Sequence, residues 1–429
     1  MGLRIAFLRP RLGIGGAERL MVDAAHELIA KGHDVSFHVP ARGNEKEFED
    51  IPAAMPFHRD GAWIPEQIGG RLRRPCAIAR TMAAARRLVS MRPGYDVVVC
   101  DVVPHVLPWL KRRTSARLLY FGHCPDAQLP GTRRLLDRWE SKGLGAAHAV
   151  VVNSRFTANA FRHAFPELVS MPIEVLHPGV GAPKDMRHDS VSGDAGRAAA
   201  QACRALVADD AIVLLSLGRF DPRKNLPLAI HAVAALRTRM APNAFARVRL
   251  VFAGRLDDRL AEARETRAAL EREAREWNLA HQVVFVDSLS AADRAAWFER
   301  ALVVLYTAEA EHLGIVPLEA MAAGRPVIAV NRGDPLETVV VGRTGLLCEP
   351  TPGAFAAAIA RFITEPDLAR RMGADGRAHV DERFSRERFG DQLDAFVRQL
   401  AASPPAATAV TSKVRSAGVP RNTGQTSSE

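Results

Sequence analysis

Two carboxylates bracket the segment Glu311-His-Leu-Gly314-Ile315-Val316-Pro317-Leu-Glu319. Pro317 suits the first turn of a helix, which puts Glu319 in that turn and the N–H groups of Gly314, Ile315 and Val316 at its amino end. Amides there, with the helix dipole behind them, favour an anion. Carboxylate, amides, carboxylate is a layout for a ligand with hydroxyls at both ends and phosphates between, the shape of a sugar nucleotide. The competing reading of Glu319 is an acid favoured only by the dipole. A cationic pair lies upstream, in Gly218-Arg219-Phe-Asp-Pro-Arg-Lys224-Asn225. A guanidinium and an ammonium so spaced can flank a diphosphate and neutralise charge building on it as it leaves. By residue type alone the pair reads first as solvated surface charge, and its place after a strand is what favours the phosphate reading.

Two further motifs complete the set. Gly13-x-Gly15-Gly16-Ala-Glu-Arg19 is either a loop whose backbone approaches a phosphate or a tight turn, because the full G-x-G-x-x-G spacing and its downstream acid are missing. His123, in Gly122-His-Cys-Pro-Asp126, follows the fourth strand and is a candidate catalytic residue, set against the ordinary structural or exposed histidine. No D-x-D pair for a metal occurs, and Asp257-Asp258 reads as the opening of a helix.

These motifs all follow short apolar runs. Residues 3–8, 34–39, 95–101, 117–121, 149–153 and 173–176 read as buried strands in the first half, and 211–219, 248–254, 283–287, 302–307 and 326–330 in the second. Near-continuous apolar strands alternating with helical segments mean parallel sheets covered on both faces. The expected fold is α/β: two tandem Rossmann-like, doubly wound domains with a cleft between the carboxyl ends of their strands. Residues 1–178 form the first domain and 179–400 the second. Residues 401–429, rich in Pro, Ser, Thr and Ala, read as a disordered tail.

Composition sets the limits. The 429 residues are 48% apolar and 25% charged, which is globular, with a net charge of +10. Residues 1–180 hold 25 Lys and Arg against 17 Asp and Glu, so most of the excess lies in the first half and points to a polyanionic partner there. Aromatic content of 6%, without an RNA-binding motif, argues against nucleic acid. Five scattered cysteines without a C-x-x-C pair argue against disulfides and zinc, and for a reducing compartment. No apolar run is long enough to span a bilayer, and the first residues do not read as a signal peptide, so a cytosolic location is expected.

Taken together, the motifs resemble glycosyltransferase family 4, a retaining family of the GT-B fold: G-x-G-G-A-E-R, H-x-P-D, N-S-x-F-T at Asn153–Thr157, G-R-x-x-x-x-K-N, and E-x7-E followed by A-M-x-x-G-x-P-V-I-A. Within it, LGIGGAERLMVDAA, YDVVVCD, VVNSRFTANAF, EHLGIVPLEAM, PVIAVN and TGLLCEP are similar to the mannosyltransferase branch acting on dolichol-linked oligosaccharide in N-glycan assembly. That resemblance implies GDP-mannose as donor, a polyprenyl-pyrophosphate glycolipid as acceptor, α-1,3 and α-1,6 transfer of a second and third mannose, and a peripheral position on the cytosolic face of the endoplasmic reticulum. A bacterial hexosyltransferase of lipid-linked surface glycan assembly is the alternative, and a basic nucleic-acid-binding protein the distant one.

By the same resemblance, Arg219 and Lys224 hold the donor diphosphate, Glu319 the ribose hydroxyls and Glu311 the transferred sugar. His123 lies at the anomeric centre, and Gly15 and Gly16 let the backbone approach donor or acceptor. No metal cofactor is implied. Two departures stand out. Arg332-Gly333-Asp334 has an acid where a second glycine is expected, read either as altering donor fit or as facing solvent. Residues 71–92 carry seven arginines and no acid, read either as a helix lying on an anionic membrane or as an ordinary exposed basic helix.

Overall fold

The computed structural model describes residues 2–11, 16–40, 55–68, 72–125, 134–168, 171–181, 194–254, 256, 261–287, 289–309, 311 and 314–403. Gly13, Gly15, Asp126, Asp257-Asp258 and the tail beyond 403 lie outside them. The first sheet holds β1 (Arg4–Leu8), β2 (Asp34–His38), β3 (Phe57–His58), β4 (Val97–Asp101), β5 (Arg117–Gly122), β6 (Ala149–Val152) and β7 (Ile173–Val175), in the order β3-β2-β1-β4-β5-β6-β7. The second holds β8 (Ile212–Leu217), β9 (Val248–Gly254), β10 (Val283–Asp287), β11 (Val303–Tyr306), β12 (Val327–Val330) and β13 (Gly345–Cys348), in the order β10-β9-β8-β11-β12-β13. Every pairing within both sheets is parallel. The α/β, two-sheet architecture read from the sequence is therefore present. β3 and β13 were not foreseen: one is two residues long, and the other is Gly-led.

Each sheet is buried on both faces, which is why its strands read as unbroken apolar runs. Val97–Asp101 is buried along its whole length. Ile5, Phe7, Val97 and Val99 pack under the first helix (Gly16–Ala30), while Ala6, Leu8, Val98 and Cys100 pack under the basic helix (Arg73–Ser90). Full burial of each large aliphatic side chain favours the fold by about 1.5–3 kcal/mol. Strand order reverses between β1 and β4 in the first sheet and between β8 and β11 in the second. Open α/β sheets bind ligands beyond the carboxyl ends of strands at such switch points.

Two expectations need correction. The last helix, Arg386–Ala402, packs not on the second domain but on the first: Phe389, Leu393, Val397 and Leu400 join Leu20, Ala24 and Leu28 in one core. It is held there by His33 Nε2 to Asp394 at 2.6 Å and by Arg386 to Asp23 at 3.3 Å. The chain thus crosses back, and a single boundary at 178/179 does not describe it. The basic helix is also less of a free cationic face than its sequence implies. Arg80 is buried and donates to the carbonyls of Pro40 and Ile64, and Arg74 reaches the buried Glu140 at 3.0 Å.

Candidate active site

On the second sheet, β8 ends in a turn whose shape is fixed by two unusual backbones. Gly218 has φ +145°, and Lys224 lies against it, so that a Cβ there would sit 3.3 Å from the lysine Cε. Asn225 occupies the left-handed region at φ 47° and donates from Nδ2 to Glu309 at 2.9 Å. Thr307, just past β11, donates its hydroxyl to the Lys224 carbonyl at 2.7 Å. These bonds aim the Lys224 ammonium at Glu311, where it donates to both carboxylate oxygens at 3.0 and 2.9 Å. Glu311 also accepts from the Tyr306 hydroxyl. Arg219 is largely exposed, with its guanidinium 3.5 Å from Asp221.

Asp334 occupies the centre of this group. Far from facing solvent, it is only 2% exposed, and its Oδ2 accepts from the Gly314 N–H at 2.6 Å. Burial first, and then the neighbouring Glu311 charge, push its carboxyl up to about 8. The Tyr306 phenol is raised well above its ordinary value by burial, then by Asp334 and Glu311. Gly314 is tightly constrained, since a Cβ would collide with the Tyr306 hydroxyl and the Asp334 carboxylate. The amide cluster expected at Gly314, Ile315 and Val316 is therefore partly occupied. The Gly314 amide is taken by Asp334. The amides of Ile315 and Val316, first in the helix Ile315–Ala322, have no acceptor among the described residues. Glu319 is in the first turns of that helix, but its Oε2 accepts from Arg294. Burial raises the Glu319 carboxyl, with Arg294 and Arg19 of the first domain opposing.

On the first sheet, His123 follows β5, stacks on Phe121 with ring centroids 5.5 Å apart, and places Nε2 3.2 Å from Asp101 Oδ2. Asp101 ends β4 and is also 3.3 Å from the guanidinium of Arg9, which follows β1. The same Arg9 nitrogen is 3.6 Å from Glu18 in the first helix, and Gly16 begins that helix. A third contact crosses between the domains. Glu337, beyond β12, accepts from the Arg155 and Phe156 amides at 2.8 and 2.7 Å and lies 3.0 Å from His177 Nε2. It caps the helix Arg155–Ala164 from the other side of the cleft, supplementing the local cap that Ser154 gives Thr157. Burial acts to raise its carboxyl, but His177 and the two amides outweigh it, and the net shift is downward.

Residues 14–182 match the family described as Glycosyltransferase Family 4, and residues 204–379 match Glycosyl transferases group 1. The chain is 36% identical to alpha-1,3/1,6-mannosyltransferase ALG2 of Rhizomucor pusillus, over 94% of this chain and 93% of that protein. It is also 36% identical to the Homo sapiens protein of the same name, over 92% and 96%. The chain belongs to glycosyltransferase family 4. Among solved structures, the sucrose-phosphate synthase of Thermosynechococcus elongatus superposes with a TM-score of 0.78 at 23% identity, covering 94% of this chain and 100% of that one. That likeness bears on the GT-B fold alone.

In this family 4 transferase the fold brings Lys224, Glu311, Gly314, Ile315 and Val316 into one group at the end of the second sheet. Glu319 lies one helical turn on. His123 and Gly16 belong to the first sheet, and Gly15 lies outside the described residues. Sequence reasoning missed Asp101, Arg9, Tyr306 and Glu337. Asp101 and Tyr306 each end a parallel strand, and that position is the signal that could have found them. Glu337 carries no such signal, because its partners are about 160 and 180 positions away in the chain.

Proposed function

We propose that the chain is a retaining α-1,3/α-1,6-mannosyltransferase that moves mannose from GDP-mannose to a Man1GlcNAc2 glycolipid on polyprenyl pyrophosphate. The observation carrying this reading is the Lys224–Glu311 pair beside the open amides of Ile315 and Val316. Lys224, Arg219 and those amides supply positive potential for a diphosphate, while Glu311 offers oxygens to sugar hydroxyls. Glu319 bonds the ribose, using the oxygen Arg294 leaves open. His123 contacts the sugar at the reacting carbon from the opposite side of the cleft. Donor charge is met by these cations and amides without a metal. In the reaction the bond from the anomeric carbon to phosphate breaks, and the acceptor oxygen bonds the same carbon from the same face. The acceptor hydroxyl proton passes to the departing phosphate oxygen, giving GDP and a glycolipid longer by one mannose.

The acceptor is a lipid, and a peripheral position on the cytosolic face of the endoplasmic reticulum goes with it. Among the described residues no helix is long and apolar enough to cross a membrane. The first domain carries exposed Trp63, Ile68, Leu72 and Trp139. The Arg74–Glu140 pair ties the helix just after Leu72 to the helix bearing Trp139. Exposed aromatics beside arginines are what an anionic lipid surface takes up.

A donor panel tests the function: purified protein, a phytanyl-pyrophosphate Man1GlcNAc2 acceptor, and GDP-mannose, UDP-glucose or UDP-GlcNAc, all with EDTA. Sequential Man2 and Man3 products from GDP-mannose alone are expected. Transfer from a uridine donor, or from none, overturns the assignment.

A further inference from the structure

The carboxyl ends of β1 and β4 and the loop after β5 bring three groups of alternating charge, Glu18, Arg9 and Asp101, into line with the imidazole of His123. Arg9 and Asp101 are 2% and 3% exposed. A buried ion pair of this kind is a poor device for stability, because desolvating both charges offsets their attraction. Its presence at the switch point of the first sheet calls for another reason, and the geometry supplies one. Both donors, Arg9 Nη2 and His123 Nε2, converge on one oxygen, Asp101 Oδ2, at 3.3 and 3.2 Å. A carboxylate held beside a guanidinium offers only acceptors, so the imidazole must carry a proton on Nε2, and in the neutral ring Nδ1 is then the lone-pair nitrogen. Nδ1 has no partner among the described residues. The Phe121 ring, stacked on the imidazole at 27°, removes the remaining freedom of the ring to turn.

Asp101 is itself held at a cost. The next residue, Val102, sits at φ 63°, a left-handed backbone that a β-branched side chain strongly disfavours. It is the middle of a three-residue turn closed by the Val103 N–H donating to the Asp101 carbonyl at 2.6 Å. Strain of this order persists where the surroundings over-determine it, and it gathers at functional sites. Val102 is partly exposed, so packing of its own side chain does not account for it.

We propose that Asp101 is a positioning residue for His123: it fixes the tautomer and orientation of the imidazole toward the transferred sugar, with Arg9 as the buried counter-ion that keeps the carboxylate in place. This inference rests on the reading of His123 as a substrate-facing group. It assigns Asp101 no contact with substrate and no proton transfer of its own.

The convergence on a single oxygen makes the test specific. Asparagine can still accept from His123 through its carbonyl oxygen while losing the charge that faces Arg9, whereas alanine loses both. Asp101→Ala is expected to lower kcat about 100-fold, the scale of a misplaced reacting group. Asp101→Asn is expected to recover at least tenfold of that loss. GDP affinity, read by calorimetry on the same proteins, stays within about twofold, since the cations and amides facing the diphosphate lie on the other sheet. In a His123→Ala background, Asp101→Ala adds no further loss. Should the alanine variant fail to fold, 15N imidazole spectra of the wild-type protein decide the matter. The Nε2–H tautomer is expected for His123, and an Nδ1–H tautomer overturns the proposal. A wild-type kcat in Asp101→Ala, an additive loss in the His123→Ala background, or GDP affinity falling in step with kcat likewise overturns it. If His123→Ala alone leaves full activity, it is the reading of His123 that fails, and that result is separate from the others.

Discussion

On the first sheet's side of the cleft, Glu18, Arg9 and Asp101 alternate in sign, the guanidinium meeting both carboxylates within 3.6 Å, and His123 donates to the far end of the row. On the second sheet's side, three acidic groups (Glu311, Asp334 and the Tyr306 phenol) crowd around the single ammonium of Lys224. In the first arrangement one guanidinium is shared by two carboxylates before any ligand arrives, and one of these holds a side chain in one attitude. The second would be overloaded with negative charge, and it is relieved by Asp334 keeping its proton up to about pH 8. A neutral Asp334 still accepts from the Gly314 amide without repelling a diphosphate. The lesson is that two sites built on the same kind of strand end can be prepared for a ligand in opposite ways, by pairing charges or by suppressing one.

The contrast can be broken most strongly on the paired side. Arg9→Met strands Asp101 as an uncompensated buried charge and is expected to cost about 3–5 kcal/mol of folding stability in chemical denaturation. A loss below ~1 kcal/mol would mean that the alternation is not a matched set. Next comes the crowded side. Lys224→Ala is expected to reduce turnover about 100-fold, or ~2.7 kcal/mol in the transition state, while the thermal midpoint changes little. Glu311→Ala should lose most turnover too, and near-normal rates in either variant would remove the pair from the site.

Asp334→Asn sharpens the comparison. The wild-type carboxyl is raised in the folded state, so the unfolded chain releases this proton near 3.8 and the folded one near 8. Folding stability should therefore decline as pH climbs through that window. The asparagine variant should be more stable than wild type by at least ~1 kcal/mol at pH 8, with the gap closing toward pH 4. A gap independent of pH would show that Asp334 is ionised throughout. The smallest effect belongs to Glu337. Its carboxyl is lowered, so the stability it supplies is present above its ordinary pKa and lost as acid is added. Glu337→Gln turns an NH2 toward a donor and should cost ~1 kcal/mol at neutral pH, and less in acid, by the same denaturation assay.

The two sheets were legible because buried parallel strands leave unbroken apolar runs such as YDVVVCD and VRLVFAG. Lys224, Glu311 and the helix starting at Ile315 were legible because they follow such runs at fixed spacing. Asp334 stands out in the sequence, but its burial is not readable there, since an acid after a glycine in a loop ordinarily faces water. Arg9 likewise looked like any surface arginine, and only the meeting of β1 with β4 encloses it. Glu337 and the return of the last helix depend on contacts between distant parts of the chain, which leave no local period to read.

That return has a consequence for synthesis. The strands of the first sheet leave the ribosome first, yet the core that Leu20, Ala24 and Leu28 share with them is incomplete until Phe389, Leu393 and Val397 arrive. The half made first is the half completed last, and the nascent chain must carry an open apolar seam through translation of nearly all the rest.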